Sequence, residues 1–81
     1  MSTFIFPKAQ DGFLKTFKKG EFLKLYLTDS SEYFGEVIKN HFGKMLLKSV
    51  AESPLPEITV SEKSELDNTL SLNEVELIEI I

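Results

Sequence analysis

Two hydrophobic periods divide this chain. Phe13, Leu14 and Phe17 recur at i, i+1 and i+4, the spacing that lines one face of a helix. That spacing predicts a helix over 10–20, with Asp11 as its N-cap, Lys18 and Lys19 at the cation-favouring C-terminal end, and Gly20 as the stop. From Glu21 the period becomes two. Leu23, Leu25 and Leu27 alternate with Phe22, Lys24, Tyr26 and Thr28, and Asp29-Ser30-Ser31 supplies a turn. A second strand follows over Glu32–Lys39, with Phe34 and Ile38 on one face and Tyr33 and Val37 on the other. Gly35 in its middle marks a bend or a close backbone approach. Asn40–Gly43 turns the chain into a third strand, Lys44–Ala51, which Pro54 and Pro56 end. Ile58–Val60 extends the pattern, and Thr69–Leu72 resumes the alternation. Val75–Ile81 is a final apolar strand. Ser61-Glu62-Lys63-Ser64-Glu65 reads as a solvated loop.

The expected architecture is mainly β. An N-terminal α-helix precedes a strongly bent five-stranded antiparallel sheet, a small barrel, in a single domain over 1–81. Residues 1–8 form an apolar arm, and 52–68 a long connection. Leu25, Leu27, Phe34, Ile38 and Leu46 are expected inside, with Phe13 and Phe17 from the helix.

Composition narrows the chemistry. With 81 residues the chain has material for one core. It contains no cysteine and one histidine, His41, so disulfides, thiolate metal sites and multi-histidine sites are outside its means. No cofactor or metal is expected. Ser30, Ser31 and His41 lack an orienting acid and an oxyanion-hole motif, so enzyme function is not expected either. No apolar run approaches the roughly 20 residues of a membrane helix. The start, Met1-Ser2-Thr3-Phe4, has no basic region leading an apolar core, and the expected location is cytoplasmic.

Charge is strongly segregated. Residues 1–48 carry eight lysines against five acids, and residues 49–81 carry one lysine, Lys63, against eight, which together give the net charge of −4. There is no arginine, so bidentate recognition of phosphate is absent and lysine point charges remain. An acidic chain is poorly suited to duplex nucleic acid, whose affinity rests on backbone neutralisation. A basic patch in the first half stays open.

Over Gln10–Lys48 the chain resembles the Sm-like family, and within it the bacterial Hfq branch. The stretches that carry the resemblance are Gln10-Asp11-Gly12-Phe13-Leu14, Leu25-Tyr26-Leu27-Thr28-Asp29, Tyr33-Phe34-Gly35-Glu36-Val37 and Phe42 with Met45-Leu46-Leu47-Lys48. Leu72-Asn73-Glu74-Val75-Glu76-Leu77-Ile78 falls where the second motif of the family belongs. The resemblance implies a homo-hexameric or homo-heptameric ring in which the fourth strand of one subunit pairs with the fifth of the next. Leu70, Leu72, Leu77, Ile78 and Ile80 would form that interface. A bare C-terminal strand has its own reason to seek a partner, since an unpaired edge is sticky; alternatively it closes on the first strand of its own barrel.

The resemblance further implies single-stranded RNA bound near the pore, and a role as an RNA chaperone or post-transcriptional regulator of gene expression. Phe42 would be the stacking platform, with Asn40 and His41 bonding the base or phosphate and Gln10 in the same pocket. Lys18 and Lys19 match a basic rim, while Lys39 and Lys44 flank the pocket loop. The second motif departs from the family, because Asn73-Glu74 stands where a basic pair is usual and Glu74 would repel phosphate. The competing reading is an Sm-type scaffold for a protein partner that has lost RNA binding.

Overall fold

The computed structural model describes residues 2–8, 10–41, 43–50, 56–63 and 69–81. Among these residues seven strands form one mixed sheet: β1 (Thr3–Ile5), β2 (Phe22–Leu27), β3 (Glu32–His41), β4 (Lys44–Ser49), β5 (Glu57–Ser61), β6 (Thr69–Ser71) and β7 (Val75–Ile80). Their spatial order is β1-β7-β2-β3-β4-β5-β6. Neighbours are antiparallel except β5 and β6, which run parallel.

This corrects the expected fold in three respects. First, no α-helix occurs among the described residues; the segment expected to be one holds a four-residue 3-10 turn, Phe13–Thr16. Gly12 opens that turn at φ +87°, and Phe17 leaves it in extended geometry. The local bonds are three-residue steps, Lys15 N–H to Gly12 and Phe17 N–H to Leu14, both 3.1 Å. With three apolar anchors the segment gains little from a further turn, and short helices are marginal without packing. Asp11 does not cap it, because the cap position is Gly12 and no side chain of the cap bonds there.

Second, the sheet is neither five-stranded nor antiparallel throughout. β6 (Thr69–Ser71) falls within the alternation expected over Thr69–Leu72. The strands not expected as separate elements are β1, whose three residues are too short to leave a period-two signal, and β5, where Ile58–Val60 reads only as an extension of the pattern before it. The apolar arm expected over 1–8 contains β1, which pairs with β7 from Thr3↔Ile80 to Ile5↔Ile78. The C-terminal strand therefore has no bare edge over those residues: β2 lies on one side of β7 and β1 on the other. Of the long connection expected over 52–68, Glu57–Ser61 is strand β5, while 52–55 and 64–68 lie outside the described residues.

Third, two strand faces are inverted. Directly opposed residues share a face of a sheet, and β2 opposes β3 as Leu23↔Gly35 and Leu25↔Tyr33. Tyr33, Gly35 and Val37 therefore join Leu23 and Leu25 inside, as do Met45 and Leu47, whereas Phe34, Ile38 and Leu46 are only half-buried. Leu27 is half-buried against the core, and Phe13, Phe17 and Leu25 are buried as expected. Tyr33 can lie inside because its hydroxyl donates to the Pro56 carbonyl at 3.2 Å. A Cβ on Gly35 would stand 2.9 Å from the Lys48 carbonyl and 2.9 Å from the Tyr33 ring; a close approach is what this glycine permits.

The core thus lies on one face of the sheet. Phe13 and Leu14 of the 3-10 turn, with Phe17 just after it, pack there on Leu23, Leu25, Val37, Met45, Leu47, Val60, Leu72, Val75 and Ile78. Of the residues expected at a subunit interface, Leu72 and Ile78 are buried in this core, and Leu70 and Ile80 pack against it. Leu77 alone of the five faces the other side, opposite Tyr26.

Candidate functional site

The 3-10 turn is held at both ends by side chains distant in sequence. At its start, the Glu62 carboxylate accepts the Gly12 N–H at 2.9 Å and the Leu14 N–H at 2.8 Å, satisfying two donors that a turn this short cannot pair internally. Glu62 is itself fixed by its N–H, which donates to the Gly43 carbonyl at 3.0 Å. Gly43 has φ +73°, and a Cβ there would come within 3.1 Å of the Glu62 carboxylate.

At the end of the turn, the Asn40 side-chain amide donates to the Leu14 and Phe17 carbonyls, each at 2.6 Å. A register shift between Val37 and Lys39 makes this possible. One extra residue on β3 flips the faces beyond it, so Asn40, opposite core residue Met45, points inward to the turn.

Between the pinned turn and the shifted end of β3 lies an open cleft of about 810 Å³, lined by Lys15, Phe17, Lys18, Lys19, Ile38, Lys39, Asn40 and His41. Its four lysines and His41 are exposed, whereas Phe17 is buried and Ile38 half-buried. Among the described residues no carboxylate lines it. Glu21 is bonded to this wall, its carboxylate accepting the Lys18 backbone N–H. A groove lined by one sign of charge concentrates ions of the other, and this groove is suited to anions.

Four of the residues singled out in the sequence meet here: Lys18, Lys19, Asn40 and His41. The Asn40 amide nitrogen is committed to the turn. Gln10 is exposed and contributes a backbone carbonyl, which accepts the Phe13 N–H at 3.3 Å; it does not line the cleft. Lys44 stands opposite His41 on β4, outside the lining. Phe42 lies outside the described residues. Lys39 was legible only as charge flanking the loop, and Lys15 was missed, although Lys15, Lys18 and Lys19 carry a one-sided i, i+3, i+4 spacing. Glu62 falls in the stretch expected as a solvated loop, and no local pattern marks it.

Glu74 does not face the cleft. Its carboxylate accepts the Ser71 N–H at 3.0 Å while the Ser71 hydroxyl accepts the Asn73 N–H at 3.2 Å. This capping box opens a second 3-10 turn, Leu72–Glu74.

The opposite face of the sheet is aromatic and mixed in charge. Phe22 and Phe34 meet edge to face at 6.4 Å, Tyr26 donates its hydroxyl to Glu79 at 2.8 Å, and Lys24 pairs with Glu32 at 3.1 Å. Among the described residues no three His, Asp or Glu side chains converge to hold a metal ion, and no helix is long and apolar enough to cross a membrane. Comparison with family models, with curated proteins and with solved structures finds no match to this chain.

Proposed function

We propose that this protein binds single-stranded RNA through phosphate contacts in the lysine cleft. The observation that carries the reading is the convergence of Lys15, Lys18, Lys19 and Lys39 on one groove that no carboxylate of the described residues lines, in a chain whose net charge is −4. Lysine heads on flexible stems suit a backbone that bends, and a cleft open along one side admits a strand that is not paired. The sequence resemblance to Sm-like proteins supports RNA over other polyanions, and with it a role as an RNA chaperone or regulator. Contacts of this kind position a strand without reading its bases, so a weak sequence preference is expected.

The aromatic outer face favours a second reading, a scaffold for a protein partner. Titration of isotope-labelled protein with a short uridine-rich oligonucleotide separates the two. RNA binding at the cleft moves the backbone resonances of Lys15, Lys18, Lys19 and Lys39 and leaves those of Phe22 and Phe34 in place. Unmoved cleft resonances at low salt would leave the scaffold reading.

A further inference from the structure

One side chain of the lysine cleft differs from the rest in its chemistry. Lys15, Lys18, Lys19 and Lys39 can only donate hydrogen bonds, and the side chains of Phe17 and Ile38 neither donate nor accept. Asn40 carries both a donor and an acceptor, and the fold separates the two. Its amide nitrogen donates to the Leu14 and Phe17 carbonyls, which uses both of its hydrogens. Turning the amide over would set its oxygen against two carbonyl oxygens, so the orientation is fixed by the network. Oδ1 is the atom left for a ligand.

That atom is also reachable. Among the described residues no group donates to Oδ1, and none of their buried side-chain polar atoms lacks a partner. An unpartnered Oδ1 on half-buried Asn40 is therefore one that solvent touches. Its neighbours place it among the lysines. The two carbonyls that hold the amide belong to Leu14 and Phe17, which directly precede the cleft residues Lys15 and Lys18, and Asn40 itself follows Lys39. His41 is the other lining side chain able to accept, and only while its ring is neutral.

We infer that Asn40 is a specificity-determining residue whose Oδ1 accepts the 2′-hydroxyl of a bound strand, favouring RNA over DNA. The inference rests on the reading of the cleft as a single-stranded RNA site. Lysines that contact phosphate draw in the sugar–phosphate backbone rather than the bases. Along that backbone the donor an RNA strand offers is the 2′-hydroxyl, which DNA lacks. A base edge carries donors too, and to reach Oδ1 it would have to take the place of phosphate among the lysine heads. An amide oxygen suits the task because it accepts without bringing a negative charge that would repel the phosphates.

Substituting Asn40 would loosen the 3-10 turn along with the cleft, so the test changes the ligand and keeps the protein as it is. A short uridine-rich oligonucleotide is titrated as RNA and as its 2′-fluoro analogue, which keeps the bases, the phosphates and the sugar pucker but has no 2′ donor. Affinities are read at several salt concentrations, and the side-chain carbonyl resonance of Asn40 is followed in isotope-labelled protein. The expected result is RNA binding about three- to tenfold tighter than the analogue, the worth of one neutral hydrogen bond. The two salt slopes should be equal, because the phosphates are the same, and the Asn40 carbonyl should shift with RNA only. Equal affinities, with the lysine resonances moving for both ligands, would overturn the role of Asn40 and leave the cleft an RNA site. So would an Asn40 shift of the same size with both ligands, which would assign the bond to a base, or a preference for RNA with the Asn40 carbonyl unmoved. Binding of neither ligand at low salt would overturn this inference and the RNA reading together.

Discussion

Glu62 and Leu14 lie 48 positions apart, and the carboxylate of the first accepts the backbone N–H of the second at 2.8 Å. The same carboxylate holds Gly12, so one side chain after β5 sets where the lysine-bearing turn meets the sheet. Hydrogen bonds to a charged partner contribute about 1.5–3 kcal/mol, and leaving the donors unpaired has a cost of its own. Glu62→Ala should therefore lower unfolding stability by about 2–4 kcal/mol, with Glu62→Gln losing less because its carbonyl still accepts one N–H. Urea denaturation of the three proteins measures this. Equal stability would mean that the turn finds other partners.

Asn40 secures the other end by donating to two carbonyls, which a carboxylate cannot do. Asn40→Asp should cost more than Asn40→Ala, for which about 1–3 kcal/mol is the usual penalty of unpaired polar groups. The sign with pH is diagnostic. A carboxylate facing carbonyl oxygens disfavours its charged form, which raises its pKa in the folded state. The deficit is then full at neutral pH and shrinks as pH falls through that raised value. Unfolding free energies of Asn40→Asp and wild type, compared at pH 7 and in mild acid, should converge toward the acid side.

The inverted faces of β3 and β4 yield a paired test. Leu47 is buried, whereas Leu46, next to it, is half-buried on the outer face. Leu47→Ala should cost about 2–5 kcal/mol, and Leu46→Ala about 1 kcal/mol or less. The opposite ranking would restore the faces expected from hydropathy.

How the sequence misled at these strands is instructive. Phe34 and Ile38 are more apolar than Tyr33 and Val37, so side-chain hydropathy favoured the wrong face, while the true face is set by the pairing of Leu25 with Tyr33. Strand positions were legible from alternation in β2, β3 and β6, and from apolar runs in β4 and β7. β1 was hidden by its brevity and β5 showed only as an extension over Ile58–Val60, and the helix over 10–20 was a local reading of three apolar residues that tertiary contacts pull into a 3-10 turn. At the cleft, charge was legible in Lys18 and Lys19. The roles of Glu62 and Asn40 were not, because each depends on a partner more than 20 positions away.

On the outer face, Glu79 has its pKa lowered by hydrogen bonds from the Ser2 hydroxyl and then the Tyr26 hydroxyl, and Tyr26 has its own raised by Glu79. A lowered carboxyl pKa means stability that is present above the ordinary carboxylate range and lost as pH falls through the folded value. By the same rule the raised phenol favours folding until pH climbs through the Tyr26 value. Carboxyl NMR titration should find the Glu79 midpoint below that of an unbonded glutamate. Tyr26→Phe should raise it part of the way, since Ser2 remains. A midpoint unmoved by Tyr26→Phe would remove the bond from solution.

The lysine cleft is tested most directly by the salt dependence of RNA binding. For single strands, log K falls with log salt at about −0.7 per neutralised phosphate, so four lysine contacts yield a slope of about −3. Fluorescence anisotropy with a labelled single-stranded oligonucleotide, titrated at several salt concentrations, reads this slope for wild type and for Lys18→Ala/Lys19→Ala/Lys39→Ala. The expected result is binding at low salt with a slope near −3, reduced to about −1 in the triple variant, which retains Lys15. No binding of wild type at low salt, or a triple variant with the affinity and slope of wild type, would contradict the assignment of RNA to this cleft.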